Sequence, residues 1–266
     1  MCRKRALLAT VLAPLWLATA AFAAQPPAAA PAVSRQATPA QRAEARRMDP
    51  LARAAFWGAQ FEADGRDAEA GVALAQALRS LGRFDEAAAT VAKVLVVAPD
   101  HIDGLLESAR AKIARGQGFY AIDPARRAAA LAPNDWRPHS LLGVAYEQAQ
   151  RDTEATAAHR QAVALAPNEA APNANYAMHL AARGDLAGAE AQLRRAAALP
   201  SSTIQIRQNL ALVIGLQGRI GEAETLARQD LPPESVANNL AWLRAATGQG
   251  AGTLQPRSWD AMKSGG

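Results

Sequence analysis

Gly82-Arg83-Phe84-Asp85-Glu86-Ala87 decides the reading of this chain, because its first and last residues each head a column that returns every 34 residues. Ala87 is followed at that interval by Ala121, Ala155, Ala189 and Ala223, and Gly82 by Gly116, Gly184 and Gly218, with Gln150 alone interrupting the glycines. Pro99, Pro133 and Pro167 keep the same step. Alanine is common enough here to align by chance, but three columns of different residue types sharing one period are not. The chain is a tandem repeat.

Each unit reads as two helices. In the first, Leu74, Ala75 and Leu78 recur at helical spacing, Gly82 punctuates, and Phe84, Ala87, Val91 and Val94 form a second stripe that stops at Pro99. Glycine suits the turn because the residue after a helix often takes a left-handed conformation that a Cβ penalises. Proline closes the second helix because it has no N–H to continue it. Small residues also recur on the first helix, at Ala75, Ala109, Gly143, Ala177 and Ala211, beside the bulkier Leu74, Leu142, Tyr176 and Leu210. Facing the alanine column of the second helix, they predict a close helix–helix contact. Glu86, Glu154 and Glu222 stand where second helices begin, where negative charge complements the helix dipole.

The composition agrees with an all-α chain. Of 266 residues 50% are hydrophobic and only 5% aromatic, so alanine supplies most of the apolar content, which favours tightly packed helices. Arg3-Lys4-Arg5, an apolar run from Ala6 to Phe22 and the Ala21-Phe22-Ala23 pattern predict a signal peptide over 1–23, cleaved after Ala23, with an uncleaved membrane anchor as the lesser reading. Export follows. Losing three positive charges reduces the formal +5 to +2, and residues 24–48 hold four arginines against one glutamate, which leaves about −1 on 49–266. Nucleic acid is excluded as a partner on that balance. The only cysteine, Cys2, lies in the leader, so the mature chain is expected to have neither a disulfide, nor thiol chemistry, nor a lipid-acceptor cysteine.

Residues 24–48, rich in Ala, Pro and Arg, read as a disordered linker. Asp49-Pro50 marks a helix start, with Leu51, Ala54, Ala55 and Gly58 on one face and Phe56 and Trp57 beside them. The expected solenoid covers 49–246: an N-terminal helix, five repeats from 68 and a capping helix over Pro233 to Ala246 that buries Val236, Leu240 and Leu243. A flexible tail over 247–266 carries Trp259 and Met262.

These residues resemble the tetratricopeptide repeat (TPR) family, whose signature is a small residue in each helix, a turn glycine, an aromatic after it and a closing proline. Gly82 to Ala87, Leu142-Gly143 with Tyr146, and Glu154-Ala155 carry the likeness over 68 to about 233. The second repeat departs, with Ser108 and Lys112 in place of bulky apolar residues, and the fourth places Pro200 one residue early, so both are expected to be looser or bent. Arg207 to Val213, Gly215 to Arg219, Ala227 to Pro233, Asn239 to Arg244 and, near the start, Asp49-Pro50-Leu51 with Phe56-Trp57-Gly58 resemble the TadD family of tight-adherence (Flp) pilus assembly. That resemblance implies a periplasmic or outer-membrane-associated TPR scaffold that holds pilus or secretin components, with any membrane association made through a complex. The missing acceptor cysteine sets the chain apart from the family's lipoproteins.

A solenoid of helix pairs offers an extended concave face lined by first helices. By the resemblance, its partner-facing positions are Val72 and Gln76, Leu106 and Arg110, Ser140 and Val144, Ala174 and Met178, and Gln208 and Leu212. They are more apolar than charged and lack the Lys and Asn that grip a terminal carboxylate, so a hydrophobic or amphipathic protein segment is the expected ligand. The protein's own tail or N-terminal helix is the alternative cover. A general periplasmic TPR adaptor, or the regulatory subunit of an envelope enzyme complex, is the alternative role.

No catalytic, cofactor or metal site is expected. Among His101, His139, His159 and His179 there is no H-E-x-x-H or H-x-x-x-H pair, and the last three fall at unlike positions of three helices. His139 and His159 are expected to meet inside the third repeat as packed, hydrogen-bonded imidazoles. Phosphate-loop and nucleophile-elbow motifs are missing, and Arg183-Gly184-Asp185 sits in a repeat turn as a coincidence.

Overall fold

A computed structural model describes residues 36–248. The leader, the first part of the linker and the Trp259 tail lie outside the described residues. Thirteen helices and no strand occur among the described residues: α1 (Pro39–Ala45), α2 (Pro50–Ala63), α3 (Ala68–Ser80), α4 (Phe84–Val97), α5 (Ile102–Ala114), α6 (Gly118–Leu131), α7 (Trp136–Gln148), α8 (Asp152–Leu165), α9 (Ala170–Ala182), α10 (Leu186–Ala197), α11 (Ile204–Leu216), α12 (Ile220–Ala227) and α13 (Pro233–Ala246). Each helix packs on the next in sequence. The odd-numbered helices α3 to α13 also touch in series, α3 on α5, α5 on α7 and so on, whereas the even-numbered ones make no comparable contact with each other. One layer is therefore a continuous wall of first helices and the other a row of second helices.

The turns explain the period. Gly82, Gly116, Gly184 and Gly218 have φ of 74°, 70°, 85° and 83°, and Gln150, the exception in the sequence column, adopts the same left-handed geometry at 57°. At all five turns the N–H of the following residue reaches back five positions: Arg83 to Leu78, Gln117 to Lys112, Arg151 to Tyr146, Asp185 to Leu180 and Arg219 to Ile214. This is the Schellman closure, which satisfies helix-end carbonyls. A Cβ at the four glycines would meet nothing within 4 Å, so the backbone angle alone selects them.

The core is made of the two small-residue columns. Ala75, Ala109 and Ala177 of the first helices and Ala87, Ala121, Ala155 and Ala189 of the second are completely buried, with Leu78, Val91, Leu142, Tyr146, Leu193 and Leu210 filling the space around them. The acidic residues at the second-helix starts are each tied to an arginine three residues earlier: Arg83 to Glu86, Arg151 to Glu154 and Arg219 to Glu222. A larger ionic clasp joins α10 to the α11–α12 turn. Glu190 accepts from Arg194 at 2.8 Å and Gln217 at 2.8 Å and pairs with Arg219. The bond from Arg219, aided by those from Gln217 and Arg194, holds the Glu190 carboxyl down at about 2.

Two local expectations change. Residues 36–48 are not bare tether: Thr38 and Gln41 form a capping box for α1, Ala45 is fully buried with Trp57 and Ala70, and Arg42 and Arg46 pair with Asp67 and Glu69. Two of the linker's positive charges are thereby spent within the fold, which composition alone does not reveal. Asp49 caps α2 as expected, accepting from Leu51 and Ala52, but the face turned inward is Ala54 and Trp57 with part of Phe61, while Leu51 and Ala55 are exposed. The large indole, not the small residues, sets the buried side. In the second repeat the buried Ser108 accepts from Lys112 Nζ at 2.7 Å, and α6 continues through the buried Pro124, which withdraws the N–H that would bond the Tyr120 carbonyl. α10 and α12 are shorter than the 14-residue α4, α6 and α8, at 12 and 8 residues.

Four outcomes follow for urea unfolding. Gln150→Gly raises stability by roughly 0.5–1 kcal/mol and Gly184→Ala lowers it by a similar amount, since a left-handed residue with a Cβ costs about 1–2 kcal/mol and glycine's extra chain entropy returns part of that. Ala189→Leu overpacks the helix contact and costs roughly 1–3 kcal/mol. Because the Glu190 carboxyl is held below its unfolded value, the clasp stabilises above the ordinary carboxylate range and is lost as pH falls through about 2, so Glu190→Gln flattens that acid limb.

Candidate functional site

The wall of first helices carries the expected partner row, and burial divides it. Val72, Leu106, Ser140, Ala174 and Gln208, the earlier member of each pair, are all buried, as each first helix is packed on the next. Gln76, Arg110, Val144 and Met178 are half-buried and keep an accessible edge. Leu212 is buried in the cluster that holds Val236, Leu240 and Leu243, so the capping helix removes it from the row. Val72, Leu106, Gln208 and Leu212 therefore belong to the core. The reason is the contact between successive first helices, which a single repeat does not show.

What remains is a strip of graded polarity. At its beginning Glu107, fully buried, accepts from Arg79 Nε at 2.7 Å and Arg110 Nη1 at 3.4 Å. Burial lowers the Arg110 pKa, with Arg79 and Arg137 adding repulsion and Glu107 opposing it. Arg137 pairs with Asp103 at 3.0 Å and with Asp135 at 2.7 Å. Its hydrogen bonds outweigh burial and hold the Asp135 carboxyl below its ordinary value. Asn175 donates to Ser140 Oγ at 2.8 Å. Beyond these tied charges the strip becomes apolar at Val144 and Met178. Arginine and carboxylate balance there, and an adaptable thioether follows.

The histidines are arranged otherwise than expected. His179, not His139, reaches His159: the ring centroids are 5.1 Å apart, and His159 Nε2 and His179 Nδ1 each lie 2.8 Å from the same oxygen, Oε1 of Glu147. Helices α7, α8 and α9 each contribute one member. Position within a repeat misled because α9 belongs to the next repeat and packs back on α8 and α7. His139 is half-buried, and burial lowers its pKa against the pull of Asp135. His101 is structural, its Nδ1 accepting the Gly104 N–H at the start of α5.

A second feature, absent from the sequence reading, lies on α6. Phe119 and Tyr120 are exposed and meet edge to face with centroids 5.6 Å apart. They border an open depression of about 510 Å³ whose other walls include Lys112, Pro124, Arg126 and Arg151. Lys112 stands where Leu78, Tyr146, Leu180 and Ile214 fill the other repeats, so the depression marks missing apolar bulk.

No family model matches the chain, and neither does any curated protein sequence. Solved structures do. A thermophilic TPR protein of Thermus thermophilus superposes with a TM-score of 0.60 at 23% identity, over 67% of this chain and 99% of its own. A tetratricopeptide repeat protein of Parabacteroides merdae gives 0.63 at 13% identity over 75% and 78%, and MamA of Desulfovibrio magneticus 0.50 at 24% over 60% and 89%. The fold is a TPR solenoid. These likenesses concern the fold alone.

Glu107→Ala deprives two half-buried arginines of their shared carboxylate and is expected to cost about 2–3 kcal/mol in urea unfolding. A loss under a few tenths of that size would mean that water replaces the pair.

Proposed function

We propose that this TPR solenoid is a non-catalytic scaffold that binds an amphipathic segment of a partner protein along Gln76, Arg110, Val144 and Met178, in tight-adherence pilus assembly after export. The observation that carries the binding reading is the division of the first-helix wall into a buried row and a half-exposed one. Apolar side chains left half-exposed on a shared face gain most from a partner that covers them. The charges at the other end already have partners, so the segment's apolar side belongs against Val144 and Met178 and its polar side near Gln76 and Arg110. The pilus role rests on the likeness of segments between Arg207 and Arg244, with Asp49-Pro50-Leu51 and Phe56-Trp57-Gly58 near the start, to the TadD family. Cleavage after Ala23 would deliver the mature protein to the periplasm, where a complex could hold it at the outer membrane.

The test is a photo-reactive side chain at position 178 in exporting cells. Cross-linking to a pilus or secretin component is the expected result. Capture of cell-wall enzymes alone would replace the pilus role with that of a general envelope adaptor, and full-length protein in the cytosol with Met1 retained would overturn export. For the strip itself, Val144→Gln with Met178→Gln is expected to weaken binding of the identified segment roughly tenfold or more with folding retained. Phe119→Gln with Tyr120→Gln, on the second-helix side, should leave it unchanged.

A further inference from the structure

Two columns of the repeat are apolar and buried everywhere except at one junction. Val91, Ala125, Leu193 and Ala227 share a column with His159, and Ala77, Ala111, Ala145 and Val213 share one with His179. At both places the chain substitutes a buried imidazole for core, and the two rings converge on one carboxylate. Room is made for them: a Cβ on Gly143 would fall 2.4–2.6 Å from the His159 ring, where the other repeats carry alanine. Packing gains nothing from this exchange. Burying polar groups is unfavourable unless they are fully partnered, and these are not. His159 Nδ1 has no hydrogen-bond partner, so that ring is held through its contact with Glu147.

The hydrogen count identifies what is lacking. Thr156 Oγ1 donates its single hydrogen to the Asp152 carbonyl at 2.9 Å, so its 2.8 Å contact with His179 is donated by Nε2–H. His179 Nδ1 then directs a lone pair at Glu147 Oε1, 2.8 Å away. Only a positive centre, a proton or a metal ion, can sit between them. The imidazole whose remote N–H is held by an oxygen acceptor is also the arrangement that orients a metal-ligating histidine.

We propose that Glu147, His159 and His179 bind a divalent transition metal of the zinc class, clamping α7 and α8 of the third repeat to α9 of the fourth. The three candidate ligand atoms lie within 4.8 Å of one another. Four-coordinate zinc with bonds of about 2.0–2.2 Å separates its ligands by about 3.3 Å, so the 2.8 Å contacts need to open by only about half an ångström. Two imidazoles and one carboxylate favour zinc, cobalt, nickel or copper over magnesium or calcium. Glu147 is partly exposed while both histidines are buried, which gives the ion a way in and leaves the fourth position to water. Glu147 follows Val144 by one helical turn, so the site backs the apolar end of the strip, although the proposal stands without any reading of the partner.

The experiment uses the full mature chain, freed of metal with a chelator and titrated with Zn²⁺ by calorimetry and with Co²⁺ by visible absorption. One saturating equivalent, a micromolar or tighter Kd and intense bands of four-coordinate Co²⁺ are expected, with Mg²⁺ and Ca²⁺ inert. His159→Leu and His179→Ala, which install residues already present in the same columns, should each abolish the cobalt bands with helicity retained. Thr156→Val should weaken zinc binding roughly tenfold or more through His179 alone. Where a histidine variant fails to fold, Glu147→Gln, equal in volume, decides by losing the bands or keeping them. Absence of saturable zinc binding, or binding that survives the histidine variants, would overturn the site and leave a hydrogen-bonded cluster.

Discussion

The distance between the two helices of each repeat is set by alanine against alanine. Ala75, Ala109 and Ala177 on one side and Ala87, Ala121, Ala155 and Ala189 on the other have no exposed surface at all, so the backbones approach as closely as a methyl group allows. Everything else accommodates that approach. Larger residues are displaced to the flanks, where they interlock with the preceding or following repeat, and the chain can reverse within the short span available only through a left-handed residue at each turn. Gln150 tolerates that conformation because the five-residue backward hydrogen bond from Arg151 to Tyr146 and the packing of α7 on α8 overdetermine the turn.

Much of the fold was legible because it is periodic. Glycine, alanine and proline columns report backbone and packing constraints that every repeat shares, so each column is read several times over. The exposure of the first-helix face was legible only in half: Gln76, Arg110, Val144 and Met178 remain accessible, while Leu106 and Gln208 disappear under the neighbouring first helix, a contact between residues far apart in the chain that leaves no local mark. α1 was missed for a related reason. Its stability comes from one buried alanine and from arginines paired with Asp67 and Glu69, not from a stripe of its own.

The meeting of His159 with His179 could have been found from the sequence by reading the columns for exceptions as well as for agreement. An imidazole where every other repeat places an apolar core residue announces a local task. The same reading applies to Ser108 and Lys112, whose mutual hydrogen bond satisfies the polar groups but leaves the depression beside Phe119 and Tyr120.

Because among the described residues the main contacts of each helix are with elements one or two steps away in sequence, no long loop must close before they form. Order can nucleate in any repeat and spread outward like a zipper, and the terminal turns open first when conditions worsen. A stack of this kind bends by small adjustments at each junction. An extended guest lying across several of them would act as a splint, converting local docking into stiffness along its length.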